Sequence, residues 1–150
     1  MKKTLAIFGV IILALVVLGA VCLVAVHARL DASSRAYVDM SIPRIISPWD
    51  QQQLSVRASS DYLKNVSDEQ MAFDFKNFSR LGKLKNYKGS KGTSFFLFST
   101  KAGKFVTADY TANAAFQNGD AAIIVRLIQE DGDWRISRFV VLILPCLRTR

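Results

Sequence analysis

Histidine is almost missing from this chain. The only one, His27, closes a long apolar run, and no histidine follows it. Most metal sites and imidazole-based acid–base chemistry are thereby excluded from the remainder. Cysteine is equally scarce. Cys22 lies inside the apolar run and Cys146 near the other end of the chain, so position argues against a disulfide between them. Also missing are a phosphate-binding glycine loop, a nucleophile elbow, clustered metal ligands and an internal repeat. No cofactor, metal or catalytic residue is assigned. Acidic residues, finally, are absent between Lys76 and Lys104, where eight basic ones stand.

What is present begins with the segment from Thr4 to Val26. Leu5 to Val26 runs for 22 residues without a charge. At a helical rise of about 1.5 Å per residue this spans roughly 33 Å, close to the hydrocarbon thickness of a bilayer. A cleaved signal peptide is the rival reading, since Met1-Lys2-Lys3 is a typical basic start and Val26-His27-Ala28 resembles a cleavage site. Signal cores are shorter, however, at about 7–15 residues. The sequence therefore predicts a membrane anchor over 1–28 and a folded domain over 29–150. Lys2 and Lys3 face Arg29, Arg35 and Arg44 across the run, nearly a tie in charge. A short basic end is hard to translocate, whereas a domain-length segment crosses largely regardless of charge. The expected topology is single-pass in the inner (cytoplasmic) membrane, with the domain on the periplasmic or extracellular side.

The net charge is +8; setting Lys2 and Lys3 aside leaves 18 basic and 12 acidic residues, so the domain is about +6. Such a balance favours anionic partners. The predicted elements are helices first and strands after. A helix over Arg29–Ser41 ends before Pro43. Ser47-Pro48-Trp49-Asp50 opens a second helix, and the capping box Ser67-Asp68-Glu69-Gln70 a third, closed at Leu81-Gly82. Beyond Gly82 the period changes to that of strands. Gly89 and Gly92 interrupt a first region, Phe95 to Ser99 form a second, and Lys104–Phe116, Ala121–Glu130 and Asp133–Leu144 follow as hairpins. Asn118-Gly119 and Asp131-Gly132 are the turn signals, and Pro145 ends the last strand.

Those turns set a register. Counting back from Asn118-Gly119 puts Tyr110 opposite Leu127. Counting from Asp131-Gly132 puts Leu127 opposite Ile136, Val125 opposite Arg138 and Ile123 opposite Val140. The core face then carries Tyr110, Ala112, Ala114, Phe116, Ile123, Val125, Leu127, Trp134, Ile136, Val140 and Leu142, together with Arg138. The outer face carries Ile124, Arg126, Ile128, Phe139, Val141 and Ile143.

The run NGDAAIIVRLIQEDGDWRISRFVVLIL, behind helices, resembles the NTF2-like (cystatin-like cone) superfamily over roughly Ala36 to Leu144. The likeness implies an α+β fold, with about three helices on a curved antiparallel sheet of four or five strands, often dimeric through the sheet. It implies no single activity, because isomerases, dehydratases, transport factors and secretion-system scaffolds share that fold. One scaffold family is similar in layout, with one membrane helix ahead of a periplasmic domain of this type.

Three candidate sites follow. Tyr110, Trp134, Arg138 and Asp39 could line a cone cavity, with Arg138 binding an anionic ligand. The plainer reading is an internal ion pair of Arg138 with Asp39, and alanines at 108, 112 and 114 that simply admit a helix. Ile124, Ile128, Phe139, Val141 and Ile143 form an uncovered apolar group, the expected contact surface of a homodimer or an envelope partner. Lys83, Lys85, Lys88 and Lys91 could touch anionic lipid; their plainer role is to guard a solvated edge. Nucleic acid is not expected on an extracytoplasmic domain. The preferred reading is a non-catalytic, membrane-tethered interaction or assembly module, and the alternative is a ligand-binding or enzymatic cone cavity.

Overall fold

A computed structural model describes the backbone of residues 2–99 and 103–144, and the side chains of residue 7, residues 9–96 and residues 105–144. The expectations for Pro145 and Cys146 lie outside the described residues. The fold is α+β: among the described residues there are one long helix, three short ones, and a four-stranded antiparallel sheet in the order β1-β2-β3-β4. These strands are β1 Leu84–Ser99, β2 Gly103–Phe116, β3 Gly119–Glu130 and β4 Asp133–Leu144.

Helix α1 spans Lys2–Ile46 without a break. Its first part is apolar and exposed all round, as at Leu13 (65%) and Leu23 (71%). Over 18 residues its mean hydropathy reaches 3.1, long and apolar enough to cross a membrane. Its last part buries Val38, Ile42, Ile45 and Ile46 completely. Pro43 does not end the helix as expected. Proline in a helix interior costs about 3 kcal/mol, but burying each isoleucine returns roughly 1.5–3 kcal/mol. Three isoleucines on one face therefore carry the helix one turn past the proline, where Ser47 N–H donates to the Pro43 carbonyl at 3.0 Å.

The short helices are α2 Gln51–Ser55, α3 Ser60–Asn65 and α4 Asp68–Phe78. Asp50 caps α2 rather than Ser47. Ser67 caps α4 as its sequence predicts, accepting from Gln70 N–H at 3.2 Å. A 3-10 turn, Ser79–Leu81, follows, and Gly82 closes it at φ +75°. Helix α3 is an addition to the sequence reading. Its signals are modest: a Ser59 cap, Asp61 in the first turn and Lys64 in the last.

The sheet departs from the counted register in two places. At the β2–β3 turn, Gln117 N–H donates to Lys83 and Asn118 N–H to Leu81. The Asn118 amide also reaches the Arg80 carbonyl at 2.9 Å. Held this way, the turn residues are Gln117 and Asn118, Gly119 pairs with Phe116, and Tyr110 faces Val125. The slip is two residues, so every side chain keeps its face.

The second departure does not keep the faces. Asp131 (φ +52°) and Gly132 (φ +89°) form the expected turn, and Leu127 faces Ile136 as counted. Between Leu127 and Arg126, however, β4 holds one extra residue, Ser137, so Arg126 faces Arg138 and Val125 faces Phe139. This bulge reverses β4 beyond it. Phe139 (9% exposed) and Val141 (8%) join the core, and Arg138 turns out to solvent. The physical reason is plain. A buried, unpaired guanidinium costs several kcal/mol, while the bulge exchanges it for an aromatic ring. Phe139 stacks on Phe75 with ring centroids 6.1 Å apart.

Candidate functional site

The inner face of the sheet is occupied by α1. Ser90 and Ser94 on β1, with Ala108, Ala112 and Ala114 on β2, are buried small residues. They let the helix approach, which is the plainer role expected of the alanines. Gly92 is the tightest point: a Cβ there would clash with the Asp109 carbonyl oxygen and the Tyr110 ring. The expected cavity residues are spent on this contact. Tyr110 is 2% exposed. Its hydroxyl lies 2.9 Å from Ser34 Oγ and 3.1 Å from the Asp31 carbonyl. Trp134 donates its indole N–H to Ser33 Oγ at 3.1 Å. Asp39 accepts from the Tyr87 hydroxyl at 2.7 Å. Burial and that nearby carboxylate both hold the Tyr87 phenol above its ordinary range. The structure thus separates the four residues: Tyr110 and Trp134 face α1, Asp39 pairs with Tyr87, and Arg138 lies outside. Arg138 forms no ion pair with Asp39.

Each sheet edge is covered over part of its length. The side chain and backbone N–H of Ser94 donate to Asp31 at 2.6 Å, and Thr93 Oγ1 adds a bond at 3.2 Å. Arg35 reaches the Gly92 carbonyl at 3.5 Å. One turn of α1 thereby satisfies outward backbone groups of β1 that would otherwise invite another strand. Burial of Asp31 pushes its carboxyl up, but the bonds from Ser94 and Thr93, with His27 nearby, outweigh this and hold it below the ordinary 3.8. At the other edge, Ser59 N–H donates to Ile136 and Ile136 N–H to Arg57, both at 2.8 Å.

The outer face is different, because no helix among the described residues covers it. Arg126 donates to both oxygens of Asp109, at 2.6 and 3.0 Å, and each side chain is about half exposed (49% and 46%). The carboxylate raises the already high affinity of the guanidinium for its proton. Phe95, Phe105, Thr107 and Ile128 stand around this pair, and the cleft they form encloses about 410 Å3. Beyond it lies an apolar row. Ile124 faces Val140 and Ala122 faces Leu142, which is 47% exposed. The outer group is therefore Ile124, Ile128, Val140 and Leu142. Phe139 and Val141, expected here, belong to the core. Ile143 is exposed at 56%, but it pairs with buried Ala121, on the inner face. The signal that could have located Val140 and Leu142 is the cost of burying Arg138.

The lysines are spread along β1 and the loop before it. Lys83, Lys85 and Lys91 are exposed, and Lys88 pairs with Asp120 at 3.0 Å. Lys83 adjoins Gly82, whose carbonyl accepts from Trp49 beyond the C-terminal end of α1. Lys83 and Lys85 thus sit at the end of the domain remote from the apolar segment. Among the described residues, no three histidine, cysteine, aspartate or glutamate side chains gather where they could hold a metal.

Compared with known proteins, the chain matches no family model, no curated protein and no solved structure.

Proposed function

We propose that the chain is a membrane-tethered, non-catalytic binding module, whose outer sheet face receives a second copy or an envelope protein. The observation that carries this reading is the continuity of α1. The same helix supplies the exposed apolar segment and the buried wall of the domain. No flexible linker separates the two, so a bilayer holding the first part would also set the attitude of the sheet. The uncovered row of Ile124, Ile128, Val140 and Leu142 would then face along the membrane, flanked by Arg126 and Arg138. This reading places the anchor in the inner membrane and the domain on its periplasmic side. It also takes the helices-first, curved-sheet layout as an NTF2-like cone. The cone-cavity alternative has less support, because Tyr110 and Trp134 are engaged by serines of α1.

The test uses the full chain in detergent or nanodiscs. Val140→Asp and Leu142→Asp should abolish self-association or partner capture while leaving the fold intact, as read by cross-linking and light scattering. A chain that is monomeric in its native form, with no partner lost in either variant, would overturn the proposal.

A further inference from the structure

Strand β1 runs back along α1. Tyr87 meets Asp39, Gly92 meets Arg35, and Ser94 meets Asp31. Over these contacts the helix retreats from residue 39 to residue 31, about 12 Å at 1.5 Å per residue. The strand therefore descends toward the apolar segment, and it does not stop at Ser94. Its pairing with β2 continues through Phe95↔Thr107 and Leu97↔Phe105 to Ser99↔Gly103. Pairing of β2 with β3 begins only at Thr107↔Ile128. β3 and β4 run on two residues further, to Glu130↔Asp133 and their turn, whereas β2 runs four residues past Thr107, so the β1–β2 hairpin reaches slightly beyond the β3–β4 hairpin on the side of the apolar helix.

Its depth follows from strand geometry. Tyr87 to Ser94, seven strand residues, advance about 12 Å along the helix, roughly 1.7 Å per residue, so Phe95 lies roughly 2 Å beyond the level of Asp31, the Leu97↔Phe105 pair roughly 5 Å and the Ser99↔Gly103 pair roughly 9 Å. Val26, the last residue of the uncharged run, is five positions before Asp31, or about 7.5 Å along the helix. The Leu97↔Phe105 and Ser99↔Gly103 pairs therefore bracket the end of the apolar run, and Phe95 lies just on its domain side. From Ser94 to Val106 the sequence is SFFLFSTKAGKFV, with four phenylalanines, two lysines and no acid. Aromatic rings beside lysines are the composition of the membrane–water interface, and lysines there favour anionic headgroups. Phe95 is already 45% exposed.

We infer that the paired ends of β1 and β2, around Phe95 and Phe105, are a second membrane contact, seated in the interfacial layer of the bilayer that α1 crosses. The inference rests on the anchor reading above. It also moves the lipid-facing surface from Lys83, Lys85 and Lys88 to the opposite end of β1. Two contacts, helix and hairpin, would fix the domain against tilt as well as translation.

The experiment reads depth directly. In the full chain carrying Cys22→Ala and Cys146→Ser, single cysteines replace Phe95, Phe105, Val16 or Lys85. Each is labelled with an environment-sensitive fluorophore in vesicles of phosphatidylcholine and phosphatidylglycerol, with or without doxyl-labelled lipid. The expected result is strong quenching at Val16, clear quenching at Phe95 and Phe105, and none at Lys85. Quenching at Val16 alone would overturn the hairpin contact and leave the anchor standing. No quenching at Val16 would overturn both. Blue-shifted emission at Phe105 without lipid quenching would mean burial against protein, and would also sink the inference. Phe95, being half exposed, keeps the test valid should Phe105→Cys weaken the fold.

Discussion

The Tyr110 hydroxyl lies 2.9 Å from Ser34 Oγ, joining the centre of the sheet to the helix that continues as the apolar segment. Ser34 also donates to the Leu30 carbonyl at 2.7 Å, so the two hydroxyls form a short buried chain. Tyr110→Phe should destabilise the domain by about 0.5–1.5 kcal/mol, the usual net value of one hydrogen bond. A double-mutant cycle with Ser34→Ala, followed by denaturant unfolding in detergent, should return a coupling energy near ~1 kcal/mol. Strict additivity would mean that the contact contributes nothing to stability.

The bulge at Ser137 makes adjacent residues behave oppositely. Phe139→Ala should cost about 3–5 kcal/mol, as expected for a buried phenylalanine. Arg138→Ala, one residue away and exposed, should stay within roughly 0.5 kcal/mol. Thermal unfolding of the two variants checks this. Equal losses at both positions would mean that the bulge is misplaced.

Two glycines of β1 differ in what they tolerate. Gly89 has φ +86° with open space around it, so Gly89→Ala should cost only the left-handed penalty of about 1–2 kcal/mol. Gly92→Ala would drive a methyl group into the Asp109 carbonyl and the Tyr110 ring. It should cost about 3 kcal/mol or more and loosen the β1–β2 pairing, visible as faster amide exchange in both strands.

Acid should weaken the contact between α1 and β1. The folded carboxyl of Asp31 sits below its ordinary 3.8, held there by Ser94, Thr93 and His27 against the effect of burial. A depressed acid contributes stability that is fully present above the unfolded value and is lost as pH falls through the folded one. The loss should therefore begin below about pH 4. Asp31→Asn should flatten that part of the stability profile, measured as melting temperature against pH. An unchanged acid limb in the variant would count against this role.

The Asp109–Arg126 pair should matter little to the fold despite its bidentate geometry. Both side chains are about half exposed, and such pairs contribute about 0–1 kcal/mol. Asp109→Asn with Arg126→Gln should leave the melting temperature nearly unchanged. A change in binding at the outer face would then be attributable to the surface rather than to unfolding.

Much of this architecture is local and could be read from residue order. The 22-residue uncharged run, the Ser67 cap and the Asp131-Gly132 turn each depend on neighbours within a few positions. The α+β class followed from the change of period at Gly82. Ile124 and Ile128 were legible as outer residues because they lie on β3, which has no bulge. Phe139, Val141 and Arg138 were not, because a count of residues assumes unbroken alternation and an inserted residue reverses it.

By itself, then, the sequence determined an apolar helix, a helices-then-strands order and the hydrophobic set available for a core. Tertiary structure alone decided which of those residues fill it. Burying a guanidinium costs more than bulging a strand, so β4 expelled Arg138. Three isoleucines outweighed one proline, so α1 ran on to Ile46. Backbone groups at the sheet edges needed partners, and Asp31, Arg35 and the Arg57–Ser59 segment supplied them. Each outcome compares energies between segments far apart in the chain, which local pattern does not encode.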